Sequence, residues 1–285
     1  MLCPALAVVS HWFSRKRRGF ALGIISIGSS SGSTVLPAAA QKLIPLIGFV
    51  RTICVFGFIL IATLGAANLL LQRRLPPSNV HGGLFDLKTF LNKAFAFYCI
   101  SGTMTFLGLY RYDQMLTYIS VSAIEIGVSK DFVFYIISIS NASSAVGRLL
   151  TGIIGDKIGA MNTMTPFTAL AGIMTIPSTG MRGNLFIATY QLTTSRFSCG
   201  AFSSLWPVPI VAMGGIKDAG RRAGMFMSFV AFGAIAGPPI SGALISPIKG
   251  FVYAGYYAGG TIVISIVLML VARYFHLRRL WGKFS

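Results

Sequence analysis

Long apolar segments alternate with short polar segments along almost the whole chain. The apolar segments run from about 19 to 46, 48 to 71, 94 to 120, 132 to 154, 162 to 179, 184 to 213, 223 to 245 and 251 to 274. A helix of about 20 apolar residues crosses a bilayer core about 30 Å thick. The pattern therefore predicts eight full transmembrane helices. Residues 1–13 are apolar but too short to cross, so they predict the remnant of a further helix.

One long polar segment, residues 72–93, interrupts this alternation. The Pro76–Pro77 pair stops a helix there, and the end of the segment is amphipathic enough to lie at the membrane interface. We interpret residues 1–71 as part of one helical bundle and residues 72–93 as a cytoplasmic linker. Residues 94–285 are then a second bundle of six helices with a basic tail.

The composition agrees with a membrane protein and excludes a soluble domain. Hydrophobic residues make up 54% of the chain and charged residues 11%, against about 25% in soluble domains. The net charge of +18 would suit a nucleic-acid partner if the basic residues were clustered. They are instead spread between the apolar segments, so we expect a lipid bilayer and no nucleic acid as partner.

The basic residues also predict the orientation of the chain. When the loops are assigned alternately to two sides, one side receives 17 Lys and Arg residues and the other receives five: Lys42, Arg51, Lys130, Arg182 and Lys249. Cytoplasmic loops carry the excess of Lys and Arg, so both termini are predicted to be cytoplasmic. For the location of this multi-pass protein we prefer the plasma membrane over an internal membrane.

No cofactor, metal site or catalytic centre is predicted. The four cysteines lie in or beside apolar segments without the short spacing of metal ligands. The sequence GSSSG at 28–32 matches the G-x-S-x-G motif of serine hydrolases, but it lies inside a predicted helix with no histidine in any span. We therefore expect a protein that is not an enzyme.

Several motifs together resemble one transporter family. The segment WFSRKRR at 12–18, followed by IGSSSG at 27–32, resembles the start of the fifth helix of monocarboxylate porters. Further agreement lies in RLPP at 74–77, GRLLTGIIGDKIG at 147–159 and GPPISGAL at 237–244. These porters belong to the major facilitator superfamily, and the fungal branch is the most similar. The resemblance implies helices five to twelve of a twelve-helix fold, without the first three helices and most of the fourth.

The resemblance also implies a function. Full-length relatives are secondary active transporters that move a small organic anion by alternating access, often with a proton as the coupling ion. The alternative is a truncated membrane protein that does not transport, and a partner supplying the missing helices is a further option. A membrane enzyme is the third reading, disfavoured because no span carries a histidine or a pair of acids.

Polar residues within the spans are candidates for substrate binding. Arg196 lies near the middle of its span, where a charge costs at least about 2.5–3.5 kcal/mol, so it must face protein or water. As a functional residue, Arg196 would bind the carboxylate of a substrate. The alternative is that Arg196 pairs with a neighbouring carbonyl, or that its side chain snorkels to the membrane interface. Asn141 and Gln191 would line the same site or bridge helices.

Arg111 and Asp113 form a second candidate group toward the outer end of their span. They are two residues apart, hence on different faces of the helix, so a direct ion pair is not expected. Asp113 is the one acid well inside a predicted span, which makes it the candidate proton carrier. The alternative is an interfacial residue in contact with water.

The basic ends of two spans predict a cytoplasmic gate. The segment 147–159 is predicted as a polar turn between spans and contains Arg148, Asp156 and Lys157. The resemblance implies that Asp156 meets the positive N-terminus of the helix beginning near residue 19, together with Arg17 or Arg18. An ordinary hairpin turn with exposed charges is the alternative.

Pairs of glycines four residues apart predict close packing between helices, because small residues let backbones approach. The pairs are Gly28 and Gly32, Gly233 and Gly237, and Gly255 and Gly259. They indicate a helical bundle and say nothing about its cargo.

Overall fold

The computed structural model describes residues 8–9, 12–13, 17–72, 86–108, 130–175, 185–214, 218–244 and 252–277. The elements in these ranges are helices, which confirms the predicted all-α class. In order they are α1 (Arg18–Ile47), α2 (Phe49–Leu70), a 3-10 helix (Leu87–Leu91), α3 (93–108), α4 (Lys130–Ile158), α5 (Ala160–Thr175), α6 (Leu185–Leu205), α7 (Pro207–Gly214), α8 (Ala219–Ala243) and α9 (Val252–Leu277).

The helices coincide with the predicted spans wherever the structure describes them. Among the described residues, five stretches are long and apolar enough to cross a membrane: α1, α2, Thr193–Gly214, α8 and Gly255–Leu277. α2 exposes almost its whole surface, and Thr52 is its one buried residue. Such an apolar surface is compatible with lipid or other helices and not with water. The chain is therefore embedded in a membrane.

Single glycines separate two pairs of helices. α1 and α2 are separated by Gly48 alone, and α4 and α5 by Gly159 alone. These residues have φ angles of 83° and 102°, a left-handed region that glycine adopts without steric cost. The prediction of a polar turn over 147–159 was wrong, because a single glycine reverses the chain and lets α4 continue to Ile158.

α4 is the central helix of the described bundle and packs along α1. A methyl group on Gly19 would lie 2.7 Å from the Gly152 carbonyl oxygen, and one on Gly23 would lie 2.9 Å from that of Arg148. As the residue number rises in α1, it falls in α4, so the two helices are antiparallel. Because both glycines lack a Cβ, the two backbones can touch along this line, which we call the α1–α4 seam.

On its other side α4 packs against α6 in parallel. Ser143 Oγ donates a hydrogen bond to the Thr193 carbonyl oxygen at 2.9 Å. Further along, a Cβ on Gly200 would lie 2.8 Å from the Ser144 carbonyl oxygen, and Thr151 Oγ1 lies 3.4 Å from Ser204 Oγ. α4 therefore brings residues of α1 and α6 to the same level of the bundle.

The predicted span 184–213 is one stretch broken into two helices. α6 ends at Leu205 and α7 begins at Pro207, so the break falls at Trp206. Proline lacks an N–H, so Pro207 and Pro209 remove two backbone donors there. The buried Tyr98 hydroxyl of α3 donates to the Trp206 carbonyl oxygen at 2.9 Å and ties α3 to this break.

The prediction of close packing at the glycine pairs holds for one helix and fails for another. Gly233 of α8 lies directly against the Thr103 backbone of α3, where a methyl group would not fit. Gly28 and Gly32 of α1 have no atom within 4 Å of where a Cβ would stand, within the described residues. At these two glycines, α1 therefore has no close neighbour in the part of the chain that the structure describes.

Contacts between helix ends group the charged residues at one end of the bundle. The start of α1 meets the end of α4 through Gly19 and Asp156. The start of α8 meets the segment before α3, because Arg221 Nη2 lies 3.2 Å from Asp86 Oδ2. Lys93 Nζ lies 5.7 Å from the centre of the Phe275 ring, at the end of α9. We call this the basic end.

Candidate functional site

Asp156 caps the first turn of α1 from the last turn of α4. The N–H groups of Gly19 and Phe20 donate to its two carboxylate oxygens, at 2.7 Å and 2.9 Å. The first N–H groups of a helix have no partner within the helix, and the helix dipole favours a negative charge there. The half-buried Asp156 carboxylate therefore joins α1 and α4 at the basic end.

The other residues of the predicted gate surround this contact in different environments. Arg17 is exposed and is the N-cap residue of α1, whereas Arg18 begins the helix and is buried. Lys157 follows Asp156 and is exposed in the last turn of α4. The structure thus gathers Arg17, Arg18 and Asp156 at one helix junction, with Lys157 on its outer surface.

Arg148 lies two turns further into the bundle than Asp156. Its Nη1 donates to the Ser26 carbonyl oxygen and to Ser29 Oγ, both on α1. Its Nε is buried and has no hydrogen-bond partner within the described residues. The side chain therefore links α4 to α1 at the middle of the seam, well away from the turn in which the sequence placed it.

The depth of this contact follows from helix geometry. α1 begins at Arg18, and a rise of 1.5 Å per residue puts Ser26 and Ser33 about 12 Å and 22 Å from its start. The hydrocarbon core of a bilayer is about 30 Å thick. Asn141 Nδ2 donates to the Ser33 carbonyl oxygen at 3.3 Å, so Asn141 and Arg148 both contact α1 within its length and not at its end.

Arg196 reaches the same region from α6. It lies one turn before Gly200, where a Cβ would be 3.3 Å from Arg148 Cγ. Ser29 of α1 bonds to Arg148 of α4, Arg196 lies one turn before the contact of α6 with Arg148, and Asn141 lies two turns before Arg148 on α4. We call these four residues the central polar cluster.

The structure does not describe the side chains of three predicted substrate-binding residues. Arg111 and Asp113 lie outside the described residues, so their placement stays a prediction. Gln191 belongs to α6, but its side chain is outside the described part of the chain. The candidate proton carrier and one candidate cavity residue therefore remain untested.

Sequence reasoning missed a second charged group at the basic end. Arg221 Nε lies 2.8 Å from Asp218 Oδ1, and Arg222 Nε lies 3.2 Å from Asp218 Oδ2. Arg221 also reaches Asp86, the N-cap of the 3-10 helix, whose carboxylate accepts from the Lys88 N–H at 3.0 Å. The i, i+3 and i, i+4 spacing of 218, 221 and 222 is the signal that could have found the α8 part.

The predicted linker is tied to the second bundle through this group. Phe90 of the 3-10 helix packs against Phe95 of α3 and Phe229 of α8, with ring centres 5.4 Å and 5.0 Å apart. Together with the bond from Asp86 to Arg221, these rings hold residues 86–92 against α3 and α8. Among the described residues, no group of three or more His, Cys, Asp or Glu could hold a metal ion.

The sequence of this helical bundle matches the model of a known family. The family model described as Major Facilitator Superfamily matches residues 1–185. The chain belongs to the major facilitator superfamily. The expected superfamily is thereby confirmed.

Relatives in this superfamily are fungal transporters. An MFS-type transporter of Gibberella moniliformis is 31% identical over 293 residues, with 99% of this chain and 68% of the relative covered. The aspyridones efflux protein of Emericella nidulans is 29% identical, with 95% and 55% covered. The agnestins efflux protein of Paecilomyces divaricatus is 29% identical, with 96% and 62% covered. The chain thus spans 55% to 68% of the length of these relatives.

Solved structures support the fold. One structure of the fucose:proton symporter of E. coli superposes with a TM-score of 0.69 at 12% identity, covering 95% of this chain and 72% of the symporter. Another, in the outward conformation, gives a TM-score of 0.61 at 15% identity, covering 96% and 71%. At these identities the likeness concerns the fold alone. The relatives are transporters of the superfamily, and they do not identify this chain as a monocarboxylate porter.

Proposed function

We propose that this superfamily member is a secondary active transporter that carries a small organic anion by alternating access. The observation that carries the proposal is the central polar cluster, in which Arg148 of α4 bonds to α1 and meets α6 one turn from Arg196. Transporters place their substrate sites near the bilayer midplane, between helices that rock against one another. A cation at that depth is costly unless it serves an ion or a substrate.

A carboxylate is the group that best fits these side chains. Guanidinium groups bind carboxylates through paired hydrogen bonds that are stronger than bonds between neutral groups. The resemblance of the motifs to monocarboxylate porters supports the same class. We therefore propose Arg196 as the anchor of the substrate carboxylate and Asn141 as a neighbouring polar contact.

The contact between Asp156 and α1 is the proposed gate. Asp156 holds the ends of α1 and α4 together, and Arg148 holds their middles. If the basic end is cytoplasmic, as the distribution of Lys and Arg supports, this structure is closed toward the cytoplasm. Opening to that side requires both contacts to break.

Direction, coupling and location complete the proposal. Two relatives are named for efflux, which supports export as the direction. Coupling to protons, with Asp113 as carrier, and residence in the plasma membrane with cytoplasmic termini are part of the same proposal. We do not propose an enzymatic step, because the cluster contains no nucleophile paired with a base.

Transport into vesicles tests the proposal. The full chain is reconstituted, and uptake of a panel of labelled carboxylates is measured with and without a proton gradient. We expect gradient-dependent uptake that Arg196→Ala reduces at least tenfold, because a charged hydrogen bond in a dry site is lost. Arg51→Ala is the matched control, since Arg51 is an exposed arginine of α2 far along the chain from the cluster.

The negative outcomes point to the alternatives. If correctly inserted protein takes up no carboxylate, the chain alone does not transport. Uptake that returns only when a second chain supplies the other helices of a relative would support a partner-dependent transporter. Uptake that is equal in Arg196→Ala and Arg51→Ala would contradict the role of Arg196.

A further inference from the structure

The exposed side chains of α9 include a stripe that runs along the whole helix. Its members recur every three or four residues, which places them on one face. The stripe consists of Tyr253, Tyr256, Val263, Val267, Leu270 and Tyr274. Because α9 contains a stretch long and apolar enough to cross a membrane, this exposed apolar face lies against lipid.

Tyrosines stand at both ends of the stripe and mark the two boundaries of the hydrocarbon core. Tyr256 and Tyr274 are 18 residues apart along α9, or about 27 Å. The hydrocarbon core of a bilayer is about 30 Å thick, and tyrosine is enriched at both of its interfaces with water. Tyr274 therefore lies at the headgroup level of the leaflet that contains the basic end.

Lys93, the first residue of α3, lies at the same level. Its Nζ is 5.7 Å from the centre of the Phe275 ring, next to Tyr274 in α9. Phe97, one turn further along α3, stacks on the same ring, with ring centres 5.6 Å apart. Lys93 and Phe275 are both exposed, and a contact with an aromatic ring leaves the ammonium charged. A positive charge thus stands where the phosphates of phospholipids lie.

The 3-10 helix before α3 presents apolar and basic side chains next to this charge. Leu87 and Leu91 are 76% and 80% exposed, and Lys88 between them is also exposed. The side chain of Phe90 packs on α3 and α8, which fixes the opposite face of the segment to the protein. Segments in the membrane interface have this composition, with apolar side chains in the lipid and ammonium groups among the headgroups.

The charge of this region favours a negative headgroup. The two carboxylates described here, Asp86 and Asp218, bind Arg221 and Arg222. The lysines of the 3-10 helix and of the start of α3 are therefore a net positive charge among the described residues. Each basic residue at an anionic membrane surface strengthens binding by a factor of about five.

We infer that an anionic phospholipid binds where the 3-10 helix and the start of α3 meet the end of α9. Lys93 and Lys88 contact its phosphate and headgroup, and Leu87 and Leu91 lie against its acyl chains. Because the 3-10 helix is fastened to α3 and α8, the bound lipid holds the predicted linker to the second bundle and to the membrane surface together. The site involves no cargo, so the inference is independent of the proposed transport.

Two lipids that differ only in their headgroup test this inference. Phosphatidylserine, which has a net negative charge, and phosphatidylcholine, which has none, are added with identical acyl chains to the purified full chain in detergent. Native mass spectrometry counts the bound lipids over a series of concentrations. From the two lysines we expect phosphatidylserine to bind about 25-fold more tightly than phosphatidylcholine.

Variants assign this preference to the site. Lys88→Gln and Lys93→Gln should each lower the ratio of the two affinities about fivefold, and the double variant should bring it close to one. Lys93→Arg should keep the ratio and covers the case in which Lys93→Gln fails to fold. Lys157→Gln is the matched control, since Lys157 is an exposed lysine at the basic end on α4, and it should keep the full ratio. Replacing both Leu87 and Leu91 by Asn should weaken the binding of both lipids equally.

Four results would overturn the inference. The two lipids would bind equally well, or the preference would persist in the double lysine variant, which would place headgroup recognition elsewhere. Lys157→Gln would lower the ratio as much as Lys93→Gln, which would indicate a general effect of charge. Inorganic phosphate at the same concentration would displace phosphatidylserine, which would indicate a site for free anions. None of these results decides the proposed transport, which is tested by the uptake of cargo.

Discussion

Removing the Asp156 carboxylate should open the basic end of the bundle. The Asp156 carboxylate accepts hydrogen bonds from the N–H groups of Gly19 and Phe20 and so caps the first turn of α1. The substitution Asp156→Ala removes both bonds and the favourable interaction with the helix dipole. Asp156→Asn keeps one neutral acceptor and removes the charge.

The size of the effect follows from the two distances. Hydrogen bonds of 2.7 Å and 2.9 Å to an ionised acceptor are of normal strength, and each contributes about 1.5–3 kcal/mol net. Because Asp156 is half-buried, we take the lower end for each. Asp156→Ala should therefore cost the closed state about 3 kcal/mol, a factor of about 150 in its equilibrium with the open state. Asp156→Asn should cost about 2 kcal/mol, a factor of about 30.

Spin labels on the two helix ends can measure this shift. Phe20 and Ile158 are 38% and 50% exposed, so labels there point into free space. In a background without native cysteines, pulsed electron resonance should show a short distance for the closed state. The longer distance should become populated in Asp156→Asn and dominate in Asp156→Ala.

A neighbouring charge is the control for this experiment. Lys157 is exposed and adjacent, so Lys157→Gln alters local charge without touching the cap. The reasoning is refuted if Asp156→Ala keeps the distance distribution of the parent protein. It is equally refuted if Lys157→Gln produces the same opening, since a general charge effect would then explain both.

Two further predictions concern packing within the bundle. Gly147→Ala should lower the free energy of unfolding by about 1–3 kcal/mol, because the new methyl group meets the Phe197 backbone. The control Gly57→Ala has open space around the new methyl group and should be neutral or stabilising. Thermal unfolding in detergent measures both variants, and equal melting temperatures would contradict the close packing at Gly147. Tyr98→Phe should lower the free energy of unfolding by about 1–3 kcal/mol, since the Trp206 carbonyl loses its buried donor. The same thermal unfolding assay checks this. A loss of stability no larger than that of the same substitution at an exposed tyrosine would show that the break between α6 and α7 does not need this bond.

The helices could be predicted from the sequence because the signal is local. A run of apolar residues bounded by polar ones is sufficient, and α1, α2, α8 and α9 begin and end within a few residues of the predicted limits. The break at Trp206 was missed because the apolar run continues through it. The backbone donors lost at Pro207 and Pro209 interrupt the helix without changing its hydropathy.

The candidate site was only partly predictable because it depends on register between distant helices. The position of Asp156 at the start of α1 was expected from a resemblance of motifs. The bonds from Arg148 to Ser26 and Ser29 depend instead on how far α1 slides along α4, which Gly19 and Gly23 set by close contact. No local pattern in either helix encodes that offset, so Arg148 was assigned to a turn.

The length of the α1–α4 seam turns it into a lever. From the bond between Ser33 and Asn141 to the cap at Gly19, α1 advances 14 residues, or about 21 Å. If the seam pivots at Asn141, a rotation of about 10° moves the far end by about 4 Å, which is more than a hydrogen bond can stretch. The strongest contact thus stands where the lever arm is longest. On this geometry, a rotation too small to break the bond at the pivot would release the Asp156 cap completely.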